Sequence, residues 1–326
     1  SQTWTVANSP YLVTGDLDLN NGADLTIEPG VEVRFIPMSD DRSSGVDQNR
    51  TEIRITGDLH AVGTETDSII FTTTTTDPNS NDWYGLYFHS DHYVDHIRVK
   101  YCRFEGYKRA IYQHNQYGNN SGSGMSWADV DSVTIENSVF KDAGESALYT
   151  DGCNSYMYTL RNNTVILGSL LYGESSYGYG WLVENNELKN LGSRAIQINY
   201  AFLNEKPSNS SGFDTLFVRI KDDTITYDPT NTENTSIFIG SSWVTSDLDN
   251  VANRVVDISN NVLSSSNGRA GGIYISGYGS ENETIQAIVK NNEINRPIYR
   301  AMEFGTIKGG RISNNTIRRA FSCLLY

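Results

Sequence analysis

A short motif built around an Asn pair recurs through most of this chain and limits the folds open to it. The motif reads apolar-x-apolar-x-Asn-Asn-x-apolar, and it has five clear copies: Val133–Phe140, Leu182–Leu188, Val256–Leu263, Ala287–Ile294 and Gly310–Ile317. Degenerate copies occupy Val99–Phe104, Leu160–Val165 and Val218–Ile225. The closing apolar residues of these eight copies are separated by 23 to 38 residues. The shortest spacing defines the repeating unit, and the longer ones hold inserted loops.

A second short apolar element follows each copy at a nearly constant distance, as in Arg109–Tyr112, Ser146–Tyr149 and Gly271–Tyr274. Short strands repeated at a fixed period bury their apolar faces by stacking as a solenoid. The chain also contains 32 Asn residues, and Asn tolerates the left-handed backbone conformation that tight turns need. We therefore predict an all-β parallel β-helix of about ten or eleven coils with inserted loops. A propeller needs longer units, and a β-sandwich needs more hairpin turns.

The Asn pairs are predicted to form one corner of successive coils. Side chains at equivalent positions of stacked coils can hydrogen-bond in a ladder. The first member of each pair is the expected rung: Asn137, Asn162, Asn185, Asp222, Asn260, Asn291 and Asn314.

The N-terminal third carries a further ordered set of motifs. Leu25–Phe35 reads LTIEPGVEVRF, Ile55–Thr64 reads ITGDLHAVGT, Ile69–Thr73 reads IIFTT and Asp82–Phe88 reads DWYGLYF. This order resembles the opening coils of secreted bacterial right-handed parallel β-helix proteins of the pectin-lyase-like superfamily, over roughly residues 10–105. The resemblance implies a right-handed β-helix. The superfamily includes lyases, hydrolases, epimerases and adhesins, so it implies no single activity.

The catalytic series of those enzyme families are not matched in this sequence. It contains no Gly-His pair and no Asp-Pro-His, and its adjacent Asp pairs are Asp40–Asp41 and Asp222–Asp223. Arg219–Lys221 precedes the second pair and is similar to the R-x-K element of polygalacturonases. The same residues also fit an Asp variant of the Asn ladder, so two interpretations stand for Asp222–Asp223.

The net charge of the chain limits the partners that it can bind. The net charge of −14 excludes a nucleic-acid backbone as a partner and disfavours membranes; no apolar run is long enough to insert into one. Together with the resemblance, this charge leads us to expect a secreted or cell-surface protein.

Residues 1–326 should form one domain, in which residues 1–15 cap one end. The C-terminal end at Phe321–Tyr326 should continue into another domain, or pair with another chain in end-to-end self-association.

Two kinds of metal site are candidates. The ligands His89, Asp91, His92 and His96 lie within eight residues and include the types that transition metals prefer; the alternative is a polar loop. Asp16–Asp24 and Asp247–Asn250 are candidate Ca²⁺ loops, although the first also fits a strand, a turn and a second strand. No other cofactor is indicated.

One row of side chains is the strongest functional candidate. In the second element of each unit, the residue after the inward Ile, Leu or Met should point outward. These residues are Tyr112, Tyr149, Tyr172, Gln197, Phe238, Tyr274 and Glu303. Stacking of coils should bring them into one stripe along the axis. Aromatic side chains bind sugars, but they also favour strands for packing reasons alone.

Three functions therefore remain open from the sequence. The first is a non-catalytic, adhesin-like module that binds an extracellular polysaccharide or a surface partner along the stripe. The second is a polysaccharide lyase or hydrolase that acts in the same groove, with catalytic residues unknown. The third is a structural protein that assembles end to end.

Overall fold

The computed structural model describes residues 1–89, 94–114, 129–174, 177–191, 194–199, 201, 215–228, 235–240, 253–265, 271–277, 285–297, 300–305, 307 and 309–319. In this part of the chain the regular structure consists of strands and one 3-10 helix, Val6–Asn8. The strands form three long sheets, and every pairing within them is parallel. None of these residues belongs to a helix long and apolar enough to span a membrane.

Each coil contributes one strand to each sheet in turn. Sheet A is made of Gln2–Trp4, Leu25–Ile27, Leu59–Val62, Val94–Lys100, Asp129–Glu136, Asn154–Arg161, Tyr177–Glu184, Thr215–Lys221, Asn253–Ser259, Ile285–Lys290 and Gly309–Ser313. Sheet B is made of Tyr11–Val13, Glu32–Phe35, Ile69–Thr73, Cys102–Glu105, Val139–Lys141, Thr164–Ile166, Glu187–Leu191, Thr224–Tyr227, Val262–Ser265, Glu293–Asn295 and Thr316–Arg318.

Sheet C is made of Leu17–Leu19, Glu52–Ile55, Gly85–His89, Arg109–His114, Ser146–Asp151, Ser169–Glu174, Ile196–Ile198, Thr235–Gly240, Gly272–Ser276 and Met302–Phe304. Because every strand pairs with the strand three places on in the chain, the backbone winds as a parallel β-helix. Sheets A and B have eleven strands each, which confirms the predicted fold and the predicted ten or eleven coils. Residues 1–15, expected to cap one end, contribute the first strands of sheets A and B.

The apolar residues that close the sequence motif lie in register through the core. Phe104 pairs with Phe140, which pairs with Val165, and the row continues through Leu188, Ile225, Leu263, Ile294 and Ile317. Phe71 extends it towards the N-terminus. The rings of Phe71, Phe104 and Phe140 stack with centroids 4.5 and 5.1 Å apart. The row forms part of the hydrophobic core, with aromatic residues at its N-terminal end and aliphatic residues beyond them.

At the corner between sheets A and B, the backbone conformation is the one predicted for the Asn pairs. The buried ladder of side chains, however, is formed by other residues than those predicted. All seven predicted rungs have φ between 51° and 61°, the left-handed conformation that Asn tolerates. Their side chains are bonded to each other only at the surface, as in Asn185 Nδ2 to Asn162 Oδ1 at 2.7 Å. The buried ladder is one residue further along: Ser138, Asn163, Asn186, Asp223, Asn261, Asn292 and Asn315.

The physical reason for this correction is the alternation of side chains after a turn. The first member of each pair adopts the turn conformation and points to solvent, whereas the second directly precedes the next strand and points inward. Each inward oxygen accepts a backbone N–H from the preceding coil, as Asn186 Oδ1 accepts from Asn163 N at 3.0 Å. Buried polar groups are tolerated when they are hydrogen-bonded in this way.

Candidate functional site

The predicted stripe lies on the outer side of sheet C. Tyr112 pairs in register with Tyr149, which pairs with Tyr172. The row then passes through the four remaining predicted positions, Gln197, Phe238, Tyr274 and Glu303. Successive positions are one strand spacing apart, about 4.8 Å. The structure thus brings all seven predicted residues together in a single line.

Three positions at the N-terminal end of the line were missed from the sequence. Tyr87 pairs with Tyr112, Arg54 pairs with Tyr87, and Asp18 pairs with Arg54. The first coils lack the Asn-Asn motif that served as the marker, so their second elements were not aligned with the rest. Alignment on the inward residues that precede them, Leu17, Ile53 and Leu86, would have found them.

The stripe is less open to solvent than its outward position suggested. Tyr87, Tyr112 and Gln197 are only 3%, 5% and 6% exposed, while the other members are partly buried. Tyr84, Tyr87 and Tyr112 form an apolar cluster separate from the main core, and Tyr149 packs against it. The N-terminal half of the stripe is therefore a packed surface from which ring edges emerge.

Two pairs of neighbouring rings in the stripe are stacked along the axis, whereas Tyr112 meets Tyr149 edge-on, with 88° between the ring planes. The Tyr149 and Tyr172 centroids are 4.8 Å apart with 16° between the ring planes, and Phe238 and Tyr274 are 4.9 Å apart with 8° between theirs. A ring sandwiched in this way has its faces occupied by neighbours. A ligand would reach ring edges and hydroxyl groups, and stacking of a sugar on an open face is restricted.

Arg109 occupies the centre of the tyrosine cluster. Its guanidinium carbon lies 3.6 Å from the ring centroid of Tyr149 and 4.5 Å from that of Tyr112. Its Nε donates to Glu145 Oε2 at 2.6 Å, and its Nη1 lies 3.4 Å from the Tyr84 hydroxyl. Cation–π contacts and a carboxylate together fix this guanidinium, so Arg109 holds the rings in place.

The same arrangement recurs along the sheet, because an arginine three residues before a stripe position reaches that position. Arg194 Nη1 donates to Gln197 Oε1 at 2.8 Å, and its guanidinium lies 4.9 Å from the Phe238 ring. Arg300 forms an ion pair with Glu303. In the sequence, this arrangement is visible as an Arg-Ala-Ile or Arg-Ala-Met segment directly before the stripe position.

A second row of polar side chains runs beside the stripe on three neighbouring coils, two residues later in each of these strands. His114 pairs in register with Asp151, and Asp151 with Glu174. The Tyr87 hydroxyl lies 3.1 Å from His114 Nδ1, and His114 Nε2 lies 3.8 Å from Asp151 Oδ2. This polar row presents donors and acceptors at the same axial spacing as the stripe.

Glu174 links the two rows. The Tyr172 hydroxyl donates to Glu174 Oε2 at 3.3 Å, and Asn199 Nδ2 donates to the same oxygen at 2.7 Å. Burial raises the pKa of Tyr84 and Tyr149 to about 12 each, and it also raises the pKa of Tyr87 and Tyr172. These phenols are therefore neutral hydrogen-bonding groups at physiological pH, and they are unsuited to act as bases.

The metal predictions fall largely outside the part of the chain that the structure describes. Asp91, His92 and the loop Asp247–Asn250 are outside the residues that the structure describes. His89 ends a strand of sheet C, and His96 Nδ1 lies 2.9 Å from Ser132 Oγ. Within the described ranges, no three His, Cys, Asp or Glu side chains are arranged to hold a metal ion. Asp16–Asp24 contains the strand Leu17–Leu19 and a turn.

The Asp pair was open to a catalytic or a structural interpretation. Asp223 is fully buried as a rung of the ladder, where its Oδ1 accepts from Asn186 N at 2.7 Å. Asp222 occupies the preceding turn with φ 58°. Both residues belong to the corner of sheets A and B, away from the outer face of sheet C.

Comparisons with known proteins agree with this architecture. Residues 1–139 match the family model of the pectate-lyase like beta helix domain. No curated protein and no solved structure matches the chain. The register of all three sheets continues past the matched segment, to Ser313 in sheet A and Arg318 in sheet B. The match over the first 139 residues and the three parallel sheets confirm the resemblance seen in the first coils, as far as the fold is concerned.

Proposed function

We propose that this pectate-lyase-like β-helix protein is a non-catalytic, adhesin-like module, secreted or displayed at the cell surface, that binds an extended polysaccharide along the outer face of sheet C. One observation carries the proposal: the stripe and the polar row run side by side in register on the three neighbouring coils that hold Tyr112, Tyr149 and Tyr172. Equivalent groups recur at about 4.8 Å. A linear polymer laid along the axis would meet a similar set of contacts on successive coils.

The chemistry of the two rows favours a hydroxyl-rich ligand. The polar row offers carboxylate oxygens at Asp151 and Glu174, and the stripe offers neutral phenol hydroxyls at Tyr149 and Tyr172. Sugar hydroxyls both donate and accept, so they complement such a mixed row. Because the ring faces are occupied, recognition would rest on hydrogen bonds and edge contacts.

Charge favours a neutral polymer over a polyanion. The net charge of the chain is −14, and the arginines that reach the stripe are already engaged. Arg54 pairs with Asp18 at 3.2 Å, Arg109 with Glu145, and Arg300 with Glu303. A polyanion would meet Asp151 and Glu174 without a free cation of this set to neutralise it.

Removal of hydroxyls without removal of rings tests the proposal. The double variant Tyr149→Phe/Tyr172→Phe keeps the stack and deletes two hydroxyl groups. Each lost hydrogen bond is worth about 1 kcal/mol, roughly a fivefold change in Kd. We expect glycan-array signals to fall and the Kd for any glycan found there to rise about tenfold or more.

A matched control lies on another sheet. Tyr156 stacks on Tyr179 with centroids 5.0 Å apart, at the end of a strand of sheet A. Tyr156→Phe makes the same chemical change away from sheet C and should leave the Kd unchanged. Equal loss in both variants, or full binding by the double variant, would contradict the proposed site.

A second candidate function rests on the register of Asp151 with Glu174. Two carboxylates on neighbouring coils, with His114 beside them, could supply acid and base groups for cleavage of a polysaccharide. Assays for new reducing ends and for the absorbance of unsaturated products test this alternative. Activity that disappears in Asp151→Asn and in Glu174→Gln would replace the non-catalytic proposal.

A further inference from the structure

A surface segment covers two buried carboxyl groups at the N-terminal end of sheet C. This segment, residues 39–50, is called the strap here. Its two ends are clasped together, because Thr51 N donates to Ser39 O at 3.1 Å and Thr51 Oγ1 donates to the same oxygen at 2.6 Å. Most of its residues are exposed. The strap can therefore move without unpairing the flanking strands.

Glu52 lies directly beneath the strap. Its side chain is fully buried, and its Oε1 accepts the N–H of Val46, in the strap, at 2.9 Å. Its other oxygen, Oε2, is buried without a hydrogen-bond partner in the described part of the chain. An ionised carboxylate in this place would leave that oxygen uncompensated, which is costly.

Asp16 is the second carboxyl group under the strap. It is 2% exposed, its Oδ1 accepts from Glu52 N at 2.9 Å, and its Oδ2 accepts from Ser44 Oγ at 2.8 Å. Gly45 separates the two groups, with φ +70°. A Cβ there would lie 2.3 Å from Glu52 Oε1 and 2.5 Å from Asp16 Oδ2. The strap backbone thus fits between two carboxyls that repel each other when both are ionised.

Few charges compensate Glu52. From its own strand, Arg54 Nε lies 3.9 Å from Oε1, but Arg54 also pairs with Asp18 at 3.2 Å. From the strap, Arg50 is engaged by Asp47 at 2.6 Å. The remaining titratable or charged groups packed around this position are Asp16, Asp40 and Arg42 on one side and Tyr84 and Tyr87 on the other.

We propose that the strap is a proton-dependent cover, closed while Glu52 carries a proton and released when Glu52 ionises. Release would hydrate Glu52 and Asp16 and uncover the end of the outer face of sheet C where Arg54 and Tyr87 lie. The proposal concerns a conformational equilibrium of the protein alone. It therefore stands or falls independently of polysaccharide binding.

The direction of the pH effect follows from linkage. Burial raises the pKa of Glu52 from 4.5 to about 7, and the Asp16 charge adds to this increase. The backbone N–H groups of Val46 and Asp47 and the Arg54 charge oppose it, but burial outweighs them. The closed state binds the proton more tightly, so closure is strongest at acid pH and is lost as pH rises. The opening constant should increase about tenfold per pH unit between about 4.5 and 7, and level off above.

The other two carboxyls do not reverse this trend. Burial raises the pKa of Asp16, which acts in the same direction. The pKa of Asp40 is lowered, because the N–H groups of Asp16, Arg42 and Ser44 outweigh the effect of its burial. A lowered pKa changes stability only below the ordinary value of 3.8, outside the pH range concerned.

Hydrogen exchange read by mass spectrometry on the whole chain tests the strap directly. Exchange of strap peptides, corrected for the intrinsic rate, should accelerate at least thirtyfold between pH 5 and pH 7.5. Glu52→Gln should keep the strap protected and leave only the weaker pH dependence that Asp16 contributes. The matched control Glu32→Gln, on the neighbouring strand of sheet B, should behave as wild type. Trypsin cleavage after Arg42 at pH 8 should fall in Glu52→Gln.

The proposal fails if strap protection in the wild type does not change with pH, or if Glu52→Gln keeps the wild-type pH dependence. Asp16→Asn provides a second measurement, because removal of that charge should move the pH at which exchange levels off to a lower value. If Glu52→Gln does not fold, the pH at which exchange levels off in Asp16→Asn is the measurement that tests the proposal. An unchanged pH profile in Asp16→Asn would then overturn the proposal.

Discussion

Asp223 is the one acidic rung in a ladder whose neighbouring rungs are Asn, and replacement by Asn should stabilise the protein. In five other rungs, Nδ2 donates to a carbonyl of the preceding coil, such as Asn186 Nδ2 to Leu160 O at 3.0 Å and Asn261 Nδ2 to Ile220 O at 2.9 Å. Asp223 Oδ2 occupies the place of such a nitrogen. It is buried without a partner in the described part of the chain.

The size of the effect follows from this geometry. By the spacing of the other rungs, an amide at position 223 would face the Val183 carbonyl and Asn261 Oδ1. Those are two acceptors that an ionised carboxylate cannot satisfy. Restoring these donors and removing an unsatisfied buried oxygen should raise the free energy of unfolding by about 2 kcal/mol at pH 7. For a chain this long that is a shift of a few degrees in Tm.

The sign of the pH dependence provides a stricter test. Burial raises the pKa of Asp223 well above its ordinary 3.8, with further increases from the charges of Asp222 and Glu184. A raised pKa contributes stability at acid pH that is lost as pH rises above 3.8. The advantage of Asp223→Asn should therefore grow from pH 4 to pH 7.

Urea unfolding of both proteins at several pH values measures this difference. Asp222→Asn is the matched control, because Asp222 is exposed and adjacent, and the substitution should leave the free energy of unfolding within about 0.5 kcal/mol. Lower stability of Asp223→Asn at pH 7 would refute the reasoning. A stability difference that stayed constant between pH 4 and pH 7 would show that Asp223 is not protonated in the folded state.

Three further predictions concern the core and one close approach between backbones of neighbouring coils. Phe104→Ala should lower the free energy of unfolding by about 3–5 kcal/mol in urea titrations, because Phe104 is fully buried between two stacked rings; a loss under 1 kcal/mol would contradict the packing. In a variant whose only cysteine is Cys102, a thiol reagent should react only after unfolding, since burial raises the pKa of this thiol to about 12. Gly85→Ala should cost more than about 2 kcal/mol in the same titrations, because its Cβ would lie 1.8 Å from Arg109 O, whereas Gly309→Ala, with open space around it, should cost almost nothing.

Much of the architecture could be predicted because a stacked coil repeats its own local sequence. The apolar residue that closes each motif, from Phe104 to Ile317, lies in one register row, as its spacing predicted. The turn conformation of Asn137 and its equivalents was also predictable, because φ > 0 is a property of one residue and its neighbours. The identity of the buried rung was not, since Asn162 and Asn163 are equivalent until the strand direction after the turn is known.

The candidate site also has features that the sequence could predict and features that it could not. Alternation along a strand was enough to place Tyr149 and Tyr274 in one outward row. Whether their rings would offer faces or edges depended on partners distant in sequence. Arg109 approaches Tyr149 from the preceding coil, and the phenol of Tyr87 reaches His114.

The sequence by itself determined the period, the turn residues and the inward and outward faces of this protein, because each of these depends on residues within one coil. The tertiary structure alone decided which buried groups lack partners and which rings are covered. Glu52 becomes a buried acid only when the strap folds over it, and Asp223 only when coils stack on both sides. Desolvation is a property of everything that surrounds a group, so it appears only when distant segments meet.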